Sequence, residues 1–286
     1  MTLTLEQIIA KILSVRPELT REDLMRMIEE KEKLASGFLT RESAALSLAA
    51  EMGILIKPNF KYEILIKDLV SGLRNVTVTG RVIYISQLER FSQHDGKEKA
   101  KRSMNIADKT GVVKVILWND KAISISPENL IDRIVRLSHL SVRRRAGGRL
   151  ELNVGSRSII EVDPKEIKSE DYPPLTLFVK KVNELSQYKG KTVNILGLIE
   201  RVYPTTIFKR QDGTEGKVRR AEIADKISKA TLILWDNNAD LLSEFHAGRY
   251  AIVFGVRVKE RFDRRLELHS GNKTQVITIE REPSGF

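Results

Sequence analysis

The chain has 286 residues, a formal net charge of +11, a pI of about 9.7, 41% hydrophobic residues and no cysteine. Zero cysteine excludes disulfides, thiol catalysis, iron–sulfur clusters and cysteine-based zinc sites, and no apolar run approaches the ~18–20 residues that span a bilayer. The first residues lack the basic and apolar stretches of a secretion signal, so a cytoplasmic protein meeting a polyanion, as a nucleoid-associated protein does, is expected.

In chain order, residues 1–60 read as a small helical domain. Leu5, Ile8, Ile9, Ile12 and Leu13 share one helical face, and Thr20-Arg-Glu-Asp23 caps a second helix carrying Leu24, Met27 and Ile28. Thr40 opens a third helix through Ala44, Ala45, Leu46, Leu48 and Ala49, closed by Gly53. Such a unit is too small for a large core of its own. Two roles stand side by side for it: docking a protein partner, or capping the neighbouring domain.

Residues 61–163 and 177–282 read as two copies of one domain, joined by a charged, proline-containing linker over 164–176. Val76–Val82 recurs as Val193–Ile199, Ile106-Ala-Asp-Lys109 as Ile223-Ala-Asp-Lys226, and Leu117-Trp118 as Leu234-Trp235, all at an offset of 117. Phe91 with Asp95-Gly96 recurs as Phe208 with Asp212-Gly213; further on, Arg149–Leu152 recurs as Arg265–Leu268 and Gly155 as Gly271, at an offset of 116. Each copy gives a strand broken by a glycine (Gly80, Gly197), a polar loop, two strands, a short helix and a final hairpin. In the first copy the loop is 88–102, the helix starts near Ser126-Pro127-Glu128, and the hairpin pairs Ile134–Val142 with Arg149–Val154; in the second the helix is expected over Asp240–Phe245. The fold class is therefore mainly β with a small α domain: two tandem five-stranded OB barrels preceded by a three-helix segment.

Strand parity picks out the tryptophans. Lys114 marks the solvent side of Val112–Trp118, which puts Ile116 and Trp118 outward with Val113, Val115 and Leu117 inside. Thr231 does the same for Ile233 and Trp235, so both tryptophans of the chain face outward at equivalent positions. An outward tryptophan can stack a nucleobase; the alternative is a ring that closes the barrel end.

Charge falls beside them. Residues 1–60 carry a net −1 and the remainder +12, and four short segments hold all of that excess. They supply Arg90, Lys99, Lys101 and Arg102; Arg143, Arg144, Arg145 and Arg149; Lys209, Arg210, Arg219 and Arg220; and Arg257, Lys259, Arg261, Arg264 and Arg265, with Lys114 between. Phe91, Phe208 and Phe262 lie inside these segments. Cations that track phosphates beside aromatics that stack bases suit a single nucleic-acid strand. Enzyme signatures are poor. Position 185 is Leu where a phosphate loop ending Gly190-Lys191-Thr192 needs Gly, and the four histidines have no ligand spacing. Asp108 and Asp225 head turns. No catalytic residue, metal or cofactor is expected.

The strand-1 glycines, the Ile-Ala-Asp-Lys segments and the Leu-Trp strand ends resemble archaeal replication protein A over about residues 66–282, and more distantly the tandem DNA-binding domains of the eukaryotic large subunit. The resemblance implies a non-enzymatic protein that coats unpaired DNA in replication, recombination and repair. It implies base stacking at Trp118 and Trp235 and at the loop aromatics Phe91 and Phe208. A further family aromatic near strand 5 is matched only by Phe262, since the first copy has Arg149 and Leu150 there. An RNA-binding OB protein and an OB-fold interaction scaffold are the alternatives.

Overall fold

A computed structural model describes residues 5–34, 40–54, 63–92 and 98–286. No helix among the described residues is long and apolar enough to cross a membrane. The chain divides into two compact units, residues 1–62 and 63–286.

The first unit holds α1 (Leu5–Val15), α2 (Arg21–Leu34) and α3 (Arg41–Glu51). Ile8, Ile9 and Ile12 meet Leu24 and Ile28 across the small residues Ala44, Ala45 and Ala49, whose size lets the helices close together. The cap read from the sequence forms. The Asp23 amide donates to Thr20 Oγ1 at 3.1 Å, while the Thr20 hydroxyl donates to Asp23 Oδ2 at 2.6 Å.

In the second unit, the first barrel consists of β1 (Arg74–Ile85), β2 (Glu89–Ser92), β3 (Glu98–Asp108), β4 (Gly111–Trp118), β5 (Ile134–Arg144), β6 (Leu150–Val154) and β7 (Ile159–Val162). β1 pairs with β3 and β5, β3 with β4, β4 in parallel with β6, and β6 with β5. That circuit closes five strands, the OB topology. β2 extends β3 as a two-stranded arm, and β7 lies along β5. Two short helices, α4 (Asp120–Ile123) and α5 (Pro127–Leu130), fill the step between β4 and β5.

The second barrel repeats the circuit with β8 (Thr192–Val202), β9 (Thr206–Lys209), β10 (Glu215–Ala224), β11 (Lys229–Trp235), β12 (Tyr250–Glu260), β13 (Leu266–His269) and β14 (Gln275–Ile279). Gly80 and Gly197 sit where the first strand crosses its neighbour. A Cβ at Gly197 would lie 2.5 Å from Ile223 Cγ1, and one at Gly80 2.9 Å from the Ala107 carbonyl oxygen.

Three expectations are corrected. The segment 88–102 is mostly the paired arm β2–β3 rather than a loop; its Asp95-Gly96 turn lies outside the described residues. The second-copy helix starts earlier than Asp240, as two 3-10 turns over Asp236–Leu241 and Glu244–His246. The segment 164–176 is no free tether: Leu175 is fully buried, and Arg81 reaches the Pro173 and Ser169 carbonyls at 2.8 Å. One apolar cluster runs from the first barrel into Leu196, Ile252, Phe254, Ile277 and Ile279 of the second. Tyr84 meets Phe254 edge-on at 5.0 Å, and Gln275 donates to the Ile85 carbonyl at 2.8 Å. The barrels thus share a packed seam.

Candidate nucleic-acid interface

Trp118 and Trp235 end β4 and β11, each half-buried. Lys114 is exposed, and Val115 and Leu117 are fully buried. Ile116, expected outward, is also fully buried, and Ile233 nearly so, yet neither belongs to the inner core clusters. Ile116 stands between Ser103 of β3 and Asn153 of β6. The outer face therefore offers an apolar floor with a tryptophan at its end.

Each indole is held by a residue on the neighbouring parallel strand. Trp118 Nε1–H donates to Asn153 Oδ1 at 3.1 Å, and Trp235 Nε1–H to His269 Nδ1 at 3.1 Å. Asn153 and His269 are themselves repeat equivalents, at the 116 offset. Because an indole N–H only donates, His269 Nδ1 must be unprotonated, and its Nε2–H faces Glu267 at 3.0 Å. Phe208 meets Trp235 edge-on at 6.1 Å, with the Arg210 guanidinium 5.7 Å from the Phe208 ring.

This geometry carries a pH prediction. Burial, helped by the charge of Lys259, holds the His269 imidazole below the ordinary 6.5, although its bond to Glu267 opposes the shift. The unfolded chain takes the proton near 6.5 while the folded chain resists it. Stability from this site is thus present above that pH and lost as pH falls through it. Protonated Nδ1 would also confront the indole N–H donor to donor. Thermal melting between about pH 7.5 and 5.5 should show the loss, and His269→Asn, which copies the first barrel, should flatten that part of the profile. An unchanged slope in His269→Asn would refute the assignment.

The predicted cations divide into three groups. Arg90, Lys99, Lys114, Arg143, Arg144, Arg149, Lys209, Arg220, Arg257, Lys259 and Arg264 have no ion-pair partner among the described residues. Lys101 pairs with Glu89, Arg145 with Glu151, Arg210 with Asp236, Arg261 with Glu267, and Arg265 with Asp263. Arg102 and Arg219 are corrections. Arg102 is buried, donating to the Ser86 carbonyl at 2.9 Å and the Ala122 carbonyl at 3.1 Å. Arg219, its repeat equivalent, donates to Thr205 Oγ1 at 2.8 Å and to the Leu242 carbonyl at 2.6 Å. Both tie the arm's base to the segment after the tryptophan strand and offer no free cation.

In the first barrel Phe91, Lys99 and Trp118 line one groove of about 850 Å³ together with Arg74, Arg143 and Arg157, and among the described residues no Asp or Glu lines it. Lys114, Arg145 and Arg149 line a second groove of about 830 Å³ on the same barrel. In the second barrel Phe208, Lys209, Arg210 and Trp235 meet in a recess of about 760 Å³ that also holds Asp212 and Asp236. Phe262 is not brought to that recess; it stands fully exposed at the β12–β13 turn. Sequence reasoning missed Arg74 and Arg157. The signal was present, because Arg74 recurs as Lys191 at the 117 offset, and Arg143 and Arg157 recur as Lys259 and Lys273 at the 116 offset.

No protein-family model matches the chain. Over 182 residues, 62% of this chain, it is 30% identical to replication factor A of Methanothermobacter thermautotrophicus. Over that stretch the chain is similar to archaeal replication factor A. It spans 22% of that relative's length. Among solved structures, a replication protein A heterotrimer bound to single-stranded DNA matches 76% of this chain and 51% of that one, with a TM-score of 0.52 and 17% identity, a likeness of fold. A replication factor A related protein from Methanobacterium thermoautotrophicum is 29% identical over 37% of this chain and 94% of that one, with a TM-score of 0.32.

Proposed function

We propose that the chain binds single-stranded DNA non-enzymatically, laying one strand over both barrels and keeping it unpaired during replication, recombination and repair. The observation that carries this reading is the pair of tryptophans at equivalent strand ends. Each is oriented by a hydrogen bond through its indole N–H and set beside an aromatic of the arm, with three arginines and Lys99 at Trp118 and Lys209 at Trp235 that have no ion-pair partner among the described residues. Stacking on a fixed ring tolerates any base, and cations along the rim follow the phosphates without reading sequence. The similarity to replication factor A supports the same reading. At about 4–16 nucleotides per OB fold, two barrels would cover roughly 8–32. The helices of residues 1–60 are proposed as a docking unit for replication or repair proteins.

The test is tryptophan fluorescence during titration with an oligothymidylate of about 30 nucleotides, at low and high salt, with duplex DNA and a matched RNA strand as competitors. The chain holds two tryptophans, so quenching reports on Trp118 and Trp235. Quenching by the single strand that weakens with salt is expected. A flat signal with no binding by an independent method would overturn the reading, and stronger competition by RNA would transfer it to that strand.

A further inference from the structure

The groove beside Trp118 contains two residues in backbone conformations that L side chains rarely adopt. Asn75 at the start of β1 has φ 59°, and His139 within β5 has φ 58°. Asparagine tolerates the left-handed region; a histidine inside a strand is held there at a cost. The two side chains touch, with His139 Nδ1 2.5 Å from Asn75 Oδ1. Because an amide oxygen accepts, Nδ1–H donates in that bond, and Nε2 becomes a second donor when the ring takes up a proton beside an anion.

The second barrel shows what the fold itself requires at this position. The repeat equivalent of His139, at the 116 offset, is Gly255, with φ 71°. The backbone carbonyl is held in the same way in both. Ser158 Oγ donates to the His139 carbonyl at 2.9 Å, and its equivalent Thr274 Oγ1 donates to the Gly255 carbonyl at 2.9 Å. The bulge between the first strand and its neighbour falls at matching places in the two barrels. The scaffold thus calls for a positive φ there and is satisfied by glycine, which adopts it freely. Nothing in the fold calls for an imidazole.

What differs is the setting. His139 is exposed and lines the groove that holds Trp118, Lys99, Arg74, Arg143 and Arg157, with no carboxylate among its described lining residues. The buried Asn153 Nδ2, on the same wall, lacks an acceptor among the described residues. A side chain kept in an unfavourable conformation, in a cationic groove with an unfilled donor, fits a site for an anionic ligand with acceptor atoms.

We infer that His139 is a DNA-contacting residue of the first barrel, its doubly protonated ring donating through Nε2–H to a phosphodiester group of the strand whose base stacks on Trp118 while Nδ1–H stays on Asn75. This rests on the single-stranded DNA reading and adds a residue and an asymmetry to it. The strand runs from Trp118 past His139 toward Arg74, Arg143 and Arg157, whereas the second barrel follows its phosphates with Lys191, Lys259 and Lys273 and has no counterpart of the histidine.

The test uses the full chain and two readouts, thermal melting and anisotropy of a labelled oligothymidylate of about 30 nucleotides. His139→Gly should melt at or above the wild-type temperature, because the strain is relieved, yet bind about fivefold to tenfold more weakly, the scale of one hydrogen bond to a charged group. His139→Lys retains the strain and a cationic donor; it should melt no higher than wild type and recover most of the affinity. Wild-type affinity in His139→Gly would overturn the inference while leaving the DNA reading intact. Parallel loss of melting temperature and binding in His139→Gly would assign the histidine to the fold and overturn it as well. Failure of the wild-type chain to bind at all would remove the DNA reading, and the role of His139 with it.

Discussion

Replacing both Trp118 and Trp235 with alanine is expected to weaken binding of a long oligothymidylate by about 2–6 kcal/mol, one stacked base being worth about 1–3 at each site. The two sites are in different barrels and share no partner, so their effects should add. Each ring is half-buried over an apolar floor, Ile116 in one barrel and Ile233 in the other, and truncation will uncover part of that floor. A modest fall in melting temperature should accompany the loss of affinity. The single variants should not be equal. Among the described residues the Trp118 groove has no acidic lining, whereas the Trp235 recess contains Asp212 and Asp236, with Arg210 engaged by Asp236. Phosphates near Trp118 meet uncompensated cations, so Trp118→Ala should cost more. Unchanged affinity in the double variant, with circular dichroism showing an intact fold, would remove base stacking from the mechanism.

Much of this site was legible because the chain repeats itself. Two copies offset by 117 residues put Trp118 and Trp235 in register, and strand alternation puts them on the outer side. The same alternation also held information that charge obscured. Arg102 lies two residues before Met104 on β3 and opposite the inward Leu117, and Arg219 lies two before Ala221 and opposite Leu234. Parity placed both guanidinium groups toward the interior, where they meet carbonyls. Their charge alone suggested a surface. Arg74 and Arg157 were missed for a different reason: they lie outside the dense basic segments, and only their lysine counterparts at the repeat offsets mark them.

The seam between the barrels was not legible. Residues 164–176 are charged and contain Pro164, Pro173 and Pro174, the composition of an extended connection. Its partners come from elsewhere in the chain. Leu175 packs among residues of both barrels, its amide donates to Ser284 Oγ at 2.7 Å, and Ser284 in turn donates through its own amide to Asp132 at 2.8 Å. Local periodicity cannot report contacts between positions more than a hundred residues apart.

The largest stability effect is expected at the centre of that seam. Arg81 and Asp132 form an ion pair at 3.0 Å with side chains only 3% and 4% exposed. The same guanidinium donates through Nε to the Pro173 carbonyl and through Nη2 to Ser169, each at 2.8 Å. Arg81→Ala would leave a buried carboxylate and the Asp132, Ser169 and Pro173 carbonyls without this donor. Breaking a buried pair from one side costs about 3–5 kcal/mol, a fall in melting temperature on the order of 10 °C for a unit of this size. Arg281, which donates to the Ile131 carbonyl, supplies a nearby cation that softens the loss without replacing the geometry. Function should separate by strand length. Each barrel keeps its own tryptophan, so a strand of about 8 nucleotides, confined to one barrel, should bind as before. A strand long enough for both depends on their fixed spacing, because the second contact is made at an effective concentration that the seam sets. Affinity for a strand of about 30 nucleotides should therefore fall while that for the short strand holds. If Arg81→Ala melts within about 1 °C of wild type, the pair is not what holds the seam. If both strand lengths lose affinity equally, the seam does not set the path of the DNA.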